Sequence, residues 1–215
     1  MARYTRQIDL FDVEAFKENN ITIVGCGANG SFIGIALAKM GFKFFTLYDH
    51  DKVEEHNLPN QFFREEDIGM AKSMVTALHM GKMNEDIWTK ANGIYQKDEI
   101  ESEIVVSCVD LMSVRKELFE KCKESDKCQL FIDTRMAGLQ GQIYTIDMED
   151  EKEVANYEKT LFTDKEAVQE RCTQKSILFT VLGIASIVCN QIVKALNEDE
   201  VRNYIVLDYS IPQMM

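Results

Sequence analysis

The stretch IVGCGANGSF at residues 23–32 constrains the fold of this chain more than any other part of its sequence. It joins an apolar run to a turn with the spacing G-x-G-x-x-G, and then to a second apolar run that begins near Ala28. A strand that enters a helix through such a turn is typical of nucleotide-binding βαβ units. Gly25 permits the tight turn, Gly27 lets backbone N–H groups approach a phosphate, and Gly30 allows close packing of helix on strand. The sequence therefore predicts a nucleotide site at this turn.

An acidic residue at the end of the next apolar run supports this prediction. Asp49 follows the glycines by about twenty residues, where a carboxylate can bind ribose hydroxyls. The segment that follows is rich in amides and cations, among them Gln61, Arg64 and Lys72. A triphosphate needs such donors to offset its charge, so the segment favours ATP. An NAD-dependent oxidoreductase that uses the same glycine turn is the alternative.

Hydrophobic periodicity predicts an α/β chain that forms a single domain over residues 1–215. The apolar runs indicate a Rossmann-like nucleotide-binding fold with a mixed sheet and helices on both faces. The charged segment 149–171 lacks apolar periodicity and is predicted to be a mobile crossover loop. Helices are expected at 11–19, 29–40, 65–83, 111–123 and 173–197, and strands at 21–25, 43–48, 103–110, 128–134, 141–148 and 204–210.

Composition narrows the classes of partner. The 36 acidic residues outnumber the 24 basic ones, for a formal charge of −12, which disfavours nucleic acid because phosphate backbones are bound by Lys and Arg. We find no apolar run near the roughly 18 to 20 residues of a membrane span and no N-terminal secretory signal, so we expect a cytoplasmic protein without membrane contact. The six cysteines are scattered and form no C-x-x-C pair, so no zinc is expected.

Six segments, in order, resemble the ThiF/MoeB/HesA family of adenylyltransferases. They are RYTRQI, IVGCGANGSF, LYDHDKVEEHNLPNQ, DIGMAK, SCVD and CTQKSILFTVLGIASIVCNQIVKAL, and together they span nearly the whole chain. The resemblance implies use of ATP and Mg²⁺ to adenylate the C-terminal carboxylate of a small ubiquitin-like (β-grasp) or sulfur-carrier protein ending in Gly-Gly, with release of pyrophosphate. A non-catalytic subunit of a heterodimeric activating enzyme is an alternative within the same fold.

The resemblance also assigns roles to individual residues around the nucleotide. It implies that Asp49 is the ribose ligand, that Asp51 and Asn57 belong to the loop around the phosphates, and that Lys72 holds the phosphates. It implies that Asp110 positions Mg²⁺ or the reacting α-phosphate. The alternatives are a solvated lysine at Lys72 and a helix cap at Asp110.

Two more roles come from the resemblance. Arg6 matches an N-terminal arginine that reaches the active site of the partner subunit, which implies a homodimer. Cys172 stands where some members carry a cysteine that forms a thioester, acyl-disulfide or persulfide with the activated carrier. A thiol at a helix N-terminus beside Arg171 and Lys175 would have a stabilised thiolate, although an unreactive cysteine is the alternative.

The sequence departs from the family at Asn60, where an arginine is usual. We hypothesise that Arg64 or Arg135 supplies the missing phosphate cation. Three cysteines in apolar surroundings, Cys26, Cys108 and Cys189, are expected in the core. His50, His56 and His79 have no recognised metal-ligand spacing and are predicted to be polar loop or surface residues.

Overall fold

The computed structural model describes residues 2–96, 99–163 and 176–211. Its centre is one seven-stranded sheet in the order β3-β2-β1-β4-β5-β6-β7. The strands are β1 (Asn20–Val24), β2 (Phe44–Tyr48), β3 (Trp88–Asn92), β4 (Ile104–Ser107), β5 (Leu130–Ala137), β6 (Gln140–Asp147) and β7 (Tyr204–Asp208). Strands β1 to β5 are parallel to one another, β6 is antiparallel to β5, and β7 is antiparallel to β6. The predicted mixed sheet is therefore confirmed.

The described helices are α1 (Val13–Phe16), α2 (Ala28–Met40), α3 (Lys72–Met83), α4 (Met112–Glu124), α5 (Glu151–Glu158) and α6 (Leu178–Leu196). Side chains alternate along each strand between two apolar clusters, one on each face of the sheet. Ile21 and Ile23 of β1 pack in the cluster with α2 and α6, whereas Val24 packs in the cluster with α4 and Tyr157 of α5. Helices therefore cover both faces, as predicted.

Helix α6 is long and apolar enough to cross a membrane by length and composition alone. In this fold its buried face, which includes Ile184, Val188 and Ile192, packs in the same cluster as α2 and β6. A core helix of this kind passes the same length and composition test as a membrane span. The sequence shows no uninterrupted apolar run of this length, because the polar residues Thr180, Ser186 and Asn190 lie within the helix.

The predicted loop at 149–171 is wrong in its first part, because residues Glu151–Glu158 form α5. The side chain of Asp150 caps this helix by accepting from the backbone N–H groups of Lys152 and Glu153. Only Tyr157 in α5 is buried, so the segment shows no apolar period. Residues 164–175, which complete the predicted loop and contain Cys172, lie outside the described residues.

Three further expectations are corrected. Strand β3 was not predicted because this edge strand is mostly exposed and lacks an apolar run. The helix predicted over 65–83 begins at Lys72; the residues before it form a short 3₁₀ turn at Glu65–Asp67 and a bend at Gly69. His79 is not a surface residue: it is 1% exposed and contacts Asp67.

Candidate active site

The site lies where the strand order reverses between β1 and β4. In open α/β sheets the carboxyl ends of two such strands separate and leave a crevice for a ligand. The glycine turn follows β1, and the SCVD segment follows β4. The backbone contact between them is close, since a Cβ on Gly25 would lie 2.5 Å from the carbonyl oxygen of Cys108. Gly25 also has φ +92°, a conformation that other residues rarely adopt.

The three glycines of the turn have different structural reasons. A Cβ on Gly30 would lie 1.8 Å from the carbonyl oxygen of Gly25, so packing of α2 on the turn requires glycine there. Around Gly27 the protein is open, and the nearest atom to a Cβ would be Oε1 of Gln61 at 3.9 Å. Ala28 begins α2, and no side chain in the described part of the chain caps this helix at Gly27, so the N-terminal backbone N–H groups of α2 remain available to a ligand. The space and the helix N-terminus fit a phosphate group.

Asp49 closes one side of the crevice. Its Oδ2 accepts from the backbone N–H of Cys26 at 2.7 Å, and its Oδ1 accepts from the backbone N–H of Asp51 at 2.8 Å. Burial raises the pKa of Asp49, and these two hydrogen bonds oppose the shift without cancelling it. The carboxylate is thereby fixed beside the glycine turn, where it can accept from ribose hydroxyls.

Lys72 is the first residue of α3 and is buried, with Nζ 2.9 Å from Oδ2 of Asp51. The structure therefore excludes the alternative of a freely solvated lysine. Burial works against ionisation of Asp51, but the hydrogen bond and charge of Lys72 outweigh it and lower the pKa of this carboxyl. A buried ammonium beside the glycine turn can exchange its carboxylate partner for phosphate oxygens.

The side-chain amides of Asn57, Asn60 and Gln61 have different surroundings. Asn57 is buried, and its Oδ1 accepts from the backbone N–H of Glu54, so it shapes the turn that leads into the loop. Asn60 donates through Nδ2 to the hydroxyl of Ser176, just before α6. Oε1 of Gln61 is buried without a partner among the described residues and faces the open space over Gly27. Because an amide oxygen only accepts, a ligand group that donates, such as a hydroxyl, would satisfy it.

Both arginines proposed to replace the family's cation have other partners in this structure. Arg64 is exposed and lies 3.5 Å from Glu66. Arg135 donates to Asp133 and to Thr160, and its guanidinium stacks 4.4 Å from the ring centre of Tyr144. Both guanidinium groups are thus engaged elsewhere.

Asp110 is exposed, two residues before α4, at the carboxyl end of β4. The turn that carries Asp110 is held in place by Arg115, which was not predicted as a site residue. Arg115 Nη2 donates to the carbonyl oxygen of Val109 at 2.5 Å, and its Nε donates to the buried carboxylate of Asp133 at 2.6 Å. Arg115 lies three residues after Met112 and three before Leu118, on the apolar face of α4, and a charged residue at that spacing is the signal that could have indicated it.

Arg6 lies at the other end of the subunit. The neighbouring Gln7 donates to the carbonyl oxygen of Met40, the last residue of α2. Because a 13-residue helix is about 20 Å long, this end is about that far from the glycine turn. The structure does not bring Arg6 to the crevice of its own subunit, and Cys172 lies outside the described residues.

With this geometry in view, we compared the chain with known proteins. Residues 3–214 match the ThiF family. The chain belongs to the ThiF family. This confirms the family that the six motifs indicated.

Two relatives are similar to this chain in sequence, and a solved structure is similar to it in fold. The chain is 27% identical over 194 residues to the sulfur carrier protein ThiS adenylyltransferase of Escherichia coli (strain K12), covering 85% of this chain and 75% of that protein. It is 28% identical over 131 residues to ubiquitin-like modifier-activating enzyme 5 of Bombyx mori, covering 53% of this chain and 33% of that protein. A crystal structure of E. coli MccB with ATP superposes with a TM-score of 0.76 at 16% identity, covering 93% of this chain and 63% of MccB. The chain thus spans a third of one relative and less than two thirds of MccB.

Proposed function

We propose that this ThiF-family protein is an ATP-dependent adenylyltransferase that activates the C-terminal carboxylate of a ubiquitin-like or sulfur-carrier protein. One observation carries the proposal: the open space over Gly27 is bordered by the N-terminus of α2, by Asp49 and by the buried ammonium of Lys72. The helix N-terminus suits the phosphates of ATP, Asp49 suits the ribose, and the ammonium of Lys72 can offset the charge of the leaving pyrophosphate. The ThiS adenylyltransferase relative, which covers most of this chain, supports the same assignment.

The residues have distinct roles in the proposed reaction. Backbone N–H groups at the start of α2 bind phosphate oxygens, Asp49 accepts from ribose hydroxyls, and Lys72 leaves Asp51 to bind the outer phosphates. The carrier's carboxylate attacks the α-phosphorus; a P–O bond to the carboxylate forms and the bond to pyrophosphate breaks. Asp110, exposed at the crevice, orients the α-phosphate and fits as a ligand for Mg²⁺. When bound, Mg²⁺ would neutralise charge on the phosphates.

Two finer parts of the proposal concern other residues. Arg6 lies near the C-terminal end of α2, too far to act on the crevice of its own chain, so we propose a homodimer in which a second copy supplies Arg6 in trans. Such an arginine can raise phosphoryl-transfer rates by about 10³ or more in other enzymes. We also propose that the thiolate of Cys172 attacks the carrier's acyl adenylate, forming a thioester and releasing AMP. The described thiols of Cys26, Cys108 and Cys189 are poorer acceptors because burial raises the pKa of each.

A second candidate function is favoured by Asn60. This residue donates to Ser176 where the family usually places a phosphate-binding arginine. A protein that binds ATP but does not adenylate would fit this departure, as the non-catalytic subunit of a heterodimeric enzyme. The two functions differ in whether pyrophosphate exchange occurs.

The test is ATP–pyrophosphate exchange by the full chain with Mg²⁺ and a panel of β-grasp proteins that end in Gly-Gly. We expect exchange that depends on carrier and that falls by at least about 100-fold in Asp110→Ala. The matched control is Asp126→Ala, which removes an exposed aspartate beyond the opposite end of α4. An ATP-induced rise in melting temperature without exchange for any carrier would support the non-catalytic function. A rise with NAD but not ATP would overturn both.

A further inference from the structure

His79 and Asp67 form a buried ionisable pair that the proposed reaction does not use directly. The imidazole is 1% exposed and Asp67 is 6% exposed. Nε2 of His79 lies 2.7 Å from Oδ2 of Asp67. Nδ1 of His79 is buried and has no partner among the described residues, whereas Nε2 donates to the Asp67 carboxylate, which can only accept. Burying both groups is unfavourable unless this hydrogen bond is kept.

The pair joins helix α3 to the loop formed by residues 57–71, which we call the 57–71 loop. His79 is on α3, and Asp67 ends the 3₁₀ turn of the loop, where its Oδ2 also accepts from the backbone N–H of Arg64 at 2.8 Å. One carboxylate oxygen thus receives one donor from the loop and one from the helix. Breaking the contact to His79 would remove this hydrogen bond between the loop and α3 and leave the apolar packing of Phe63 with Val75 as a remaining buried contact.

His79 is also linked through its neighbours to two side chains of the proposed ATP site, Lys72 and Gln61. His79 is seven residues after Lys72, so the two side chains lie on one face of α3, two turns apart. The ring of Phe62 packs edge-on against His79 with centroids 5.8 Å apart, and the backbone N–H of Phe62 donates to the hydroxyl of Ser31 on α2. Gln61, which faces the open space over Gly27, immediately precedes Phe62. His79 therefore lies under the point where the loop, α2 and α3 meet.

We propose that His79 is a positioning residue for ATP: through Asp67 and Phe62 it fixes the 57–71 loop on α3, so that Gln61 and Lys72 keep their spacing across the phosphate site. This inference rests on the proposed function and deepens it. His79 touches neither substrate nor reacting atoms in this role. It acts on binding of the triphosphate rather than on the chemical step.

The test compares His79→Leu with His79→Gln in the full chain. Leucine fills the space but cannot donate, whereas the amide nitrogen of glutamine can replace Nε2 as a donor to Asp67. We expect His79→Leu to raise the Kd and KM for ATP about tenfold, the effect of one lost buried hydrogen bond to a charged group. The kcat and the KM for the carrier should change less than about twofold, since the contact lies away from the reacting atoms. His79→Gln should recover ATP affinity to within about threefold of the natural protein.

The matched control is Thr22→Val, which removes the equally buried 2.7 Å hydrogen bond between Thr22 and Ser102. It should lower the melting temperature but leave the Kd for ATP unchanged. If His79→Leu does not fold, Asp67→Asn weakens the same contact, because the amide keeps an oxygen for the Arg64 N–H but loses the charge. Unchanged ATP affinity in both variants, or no recovery with glutamine, would overturn the positioning role. A natural protein that binds no ATP would overturn the proposed function as well, and calorimetry with ATP alone tells these outcomes apart.

Discussion

The ammonium nitrogen of Lys72 lies 2.9 Å from a carboxylate oxygen of Asp51. Lys72 is buried and Asp51 is about half exposed, so the pair neutralises a charge that would be costly to bury alone. In the proposed site a triphosphate would have to compete with Asp51 for this ammonium. The pair would then couple the stability of the free protein to its affinity for ATP.

The first prediction concerns this coupling. Asp51→Asn should lower the free energy of unfolding by about 0.5–1 kcal/mol, a small value because the Asp51 side chain is about half exposed and asparagine keeps an oxygen that can accept from Lys72. It should also enlarge the rise in melting temperature on adding ATP, because Lys72 no longer has a competing carboxylate. Lys72→Met should abolish most of that rise. If both variants weaken ATP binding alike, Asp51 assists binding rather than competing with it.

The second prediction separates the glycines of the turn. Gly30→Ala should prevent folding, because its Cβ would meet the carbonyl oxygen of Gly25 at 1.8 Å and neither backbone can move away. Gly27→Ala has room for its Cβ and should fold, as circular dichroism would show, but its methyl group would occupy the proposed phosphate space. ATP should then stabilise Gly27→Ala much less than the natural protein. Equal ATP stabilisation would place the phosphates elsewhere.

The third prediction concerns the support beneath Asp110. Arg115 and Arg135 both donate to the buried carboxylate of Asp133, and Arg115 also binds the Val109 carbonyl. Arg115→Met should cost about 3–5 kcal/mol in urea unfolding, because it leaves part of a buried ionic network unpaired. Its kcat for pyrophosphate exchange should fall more than its KM for ATP rises, since Asp110 loses its fixed position. Arg135→Met should destabilise α5 packing while sparing kcat more. Equal kcat losses in both would argue against a specific role of Arg115.

The fourth prediction is a pH dependence. Burial raises the pKa of Asp49 above its ordinary value of 3.8, so this group gains a proton at a higher pH than an exposed aspartate. ATP affinity should therefore be constant near neutral pH and fall as the pH drops towards the raised pKa. In the free protein Asp49 works in the opposite sense, because a raised pKa makes folding less favourable as pH rises between 3.8 and the folded value. Asp49→Asn should weaken ATP binding and remove its acid dependence, as calorimetry at several pH values would show.

The fifth prediction concerns thiol reactivity. Burial raises the pKa of Cys108 and of Cys189 to about 12 in each case, and it raises that of Cys26 as well. These thiols should resist iodoacetamide at pH 8 in the folded protein, since the thiolate is the reactive form. Peptide mass spectrometry should find them unmodified under conditions that alkylate Cys172. After incubation with ATP and carrier, Cys172→Ser should lose any covalent adduct and keep pyrophosphate exchange.

Local sequence determined the framework of this protein. The apolar run before Gly25 and the glycine spacing specify a strand and a turn, because backbone sterics and side-chain period act over a few residues. The same local patterns indicated the α/β class and the ThiF family. Edge strand β3 and helix α5 escaped prediction because each buries too few side chains to leave a period in the sequence.

Tertiary structure decided which charges meet. Asp133 joins Arg115 across 18 residues, Lys72 joins Asp51 across 21, and Asn60 joins Ser176 across 116. The sequence marked Lys72 as a phosphate ligand but could not show its partner, and it placed His79 on the surface although the fold buries it. Such pairings depend on how the strands are ordered in the sheet and on which residues the connecting loops bring together. That order is set by burial of the whole core, which no short stretch of the chain contains.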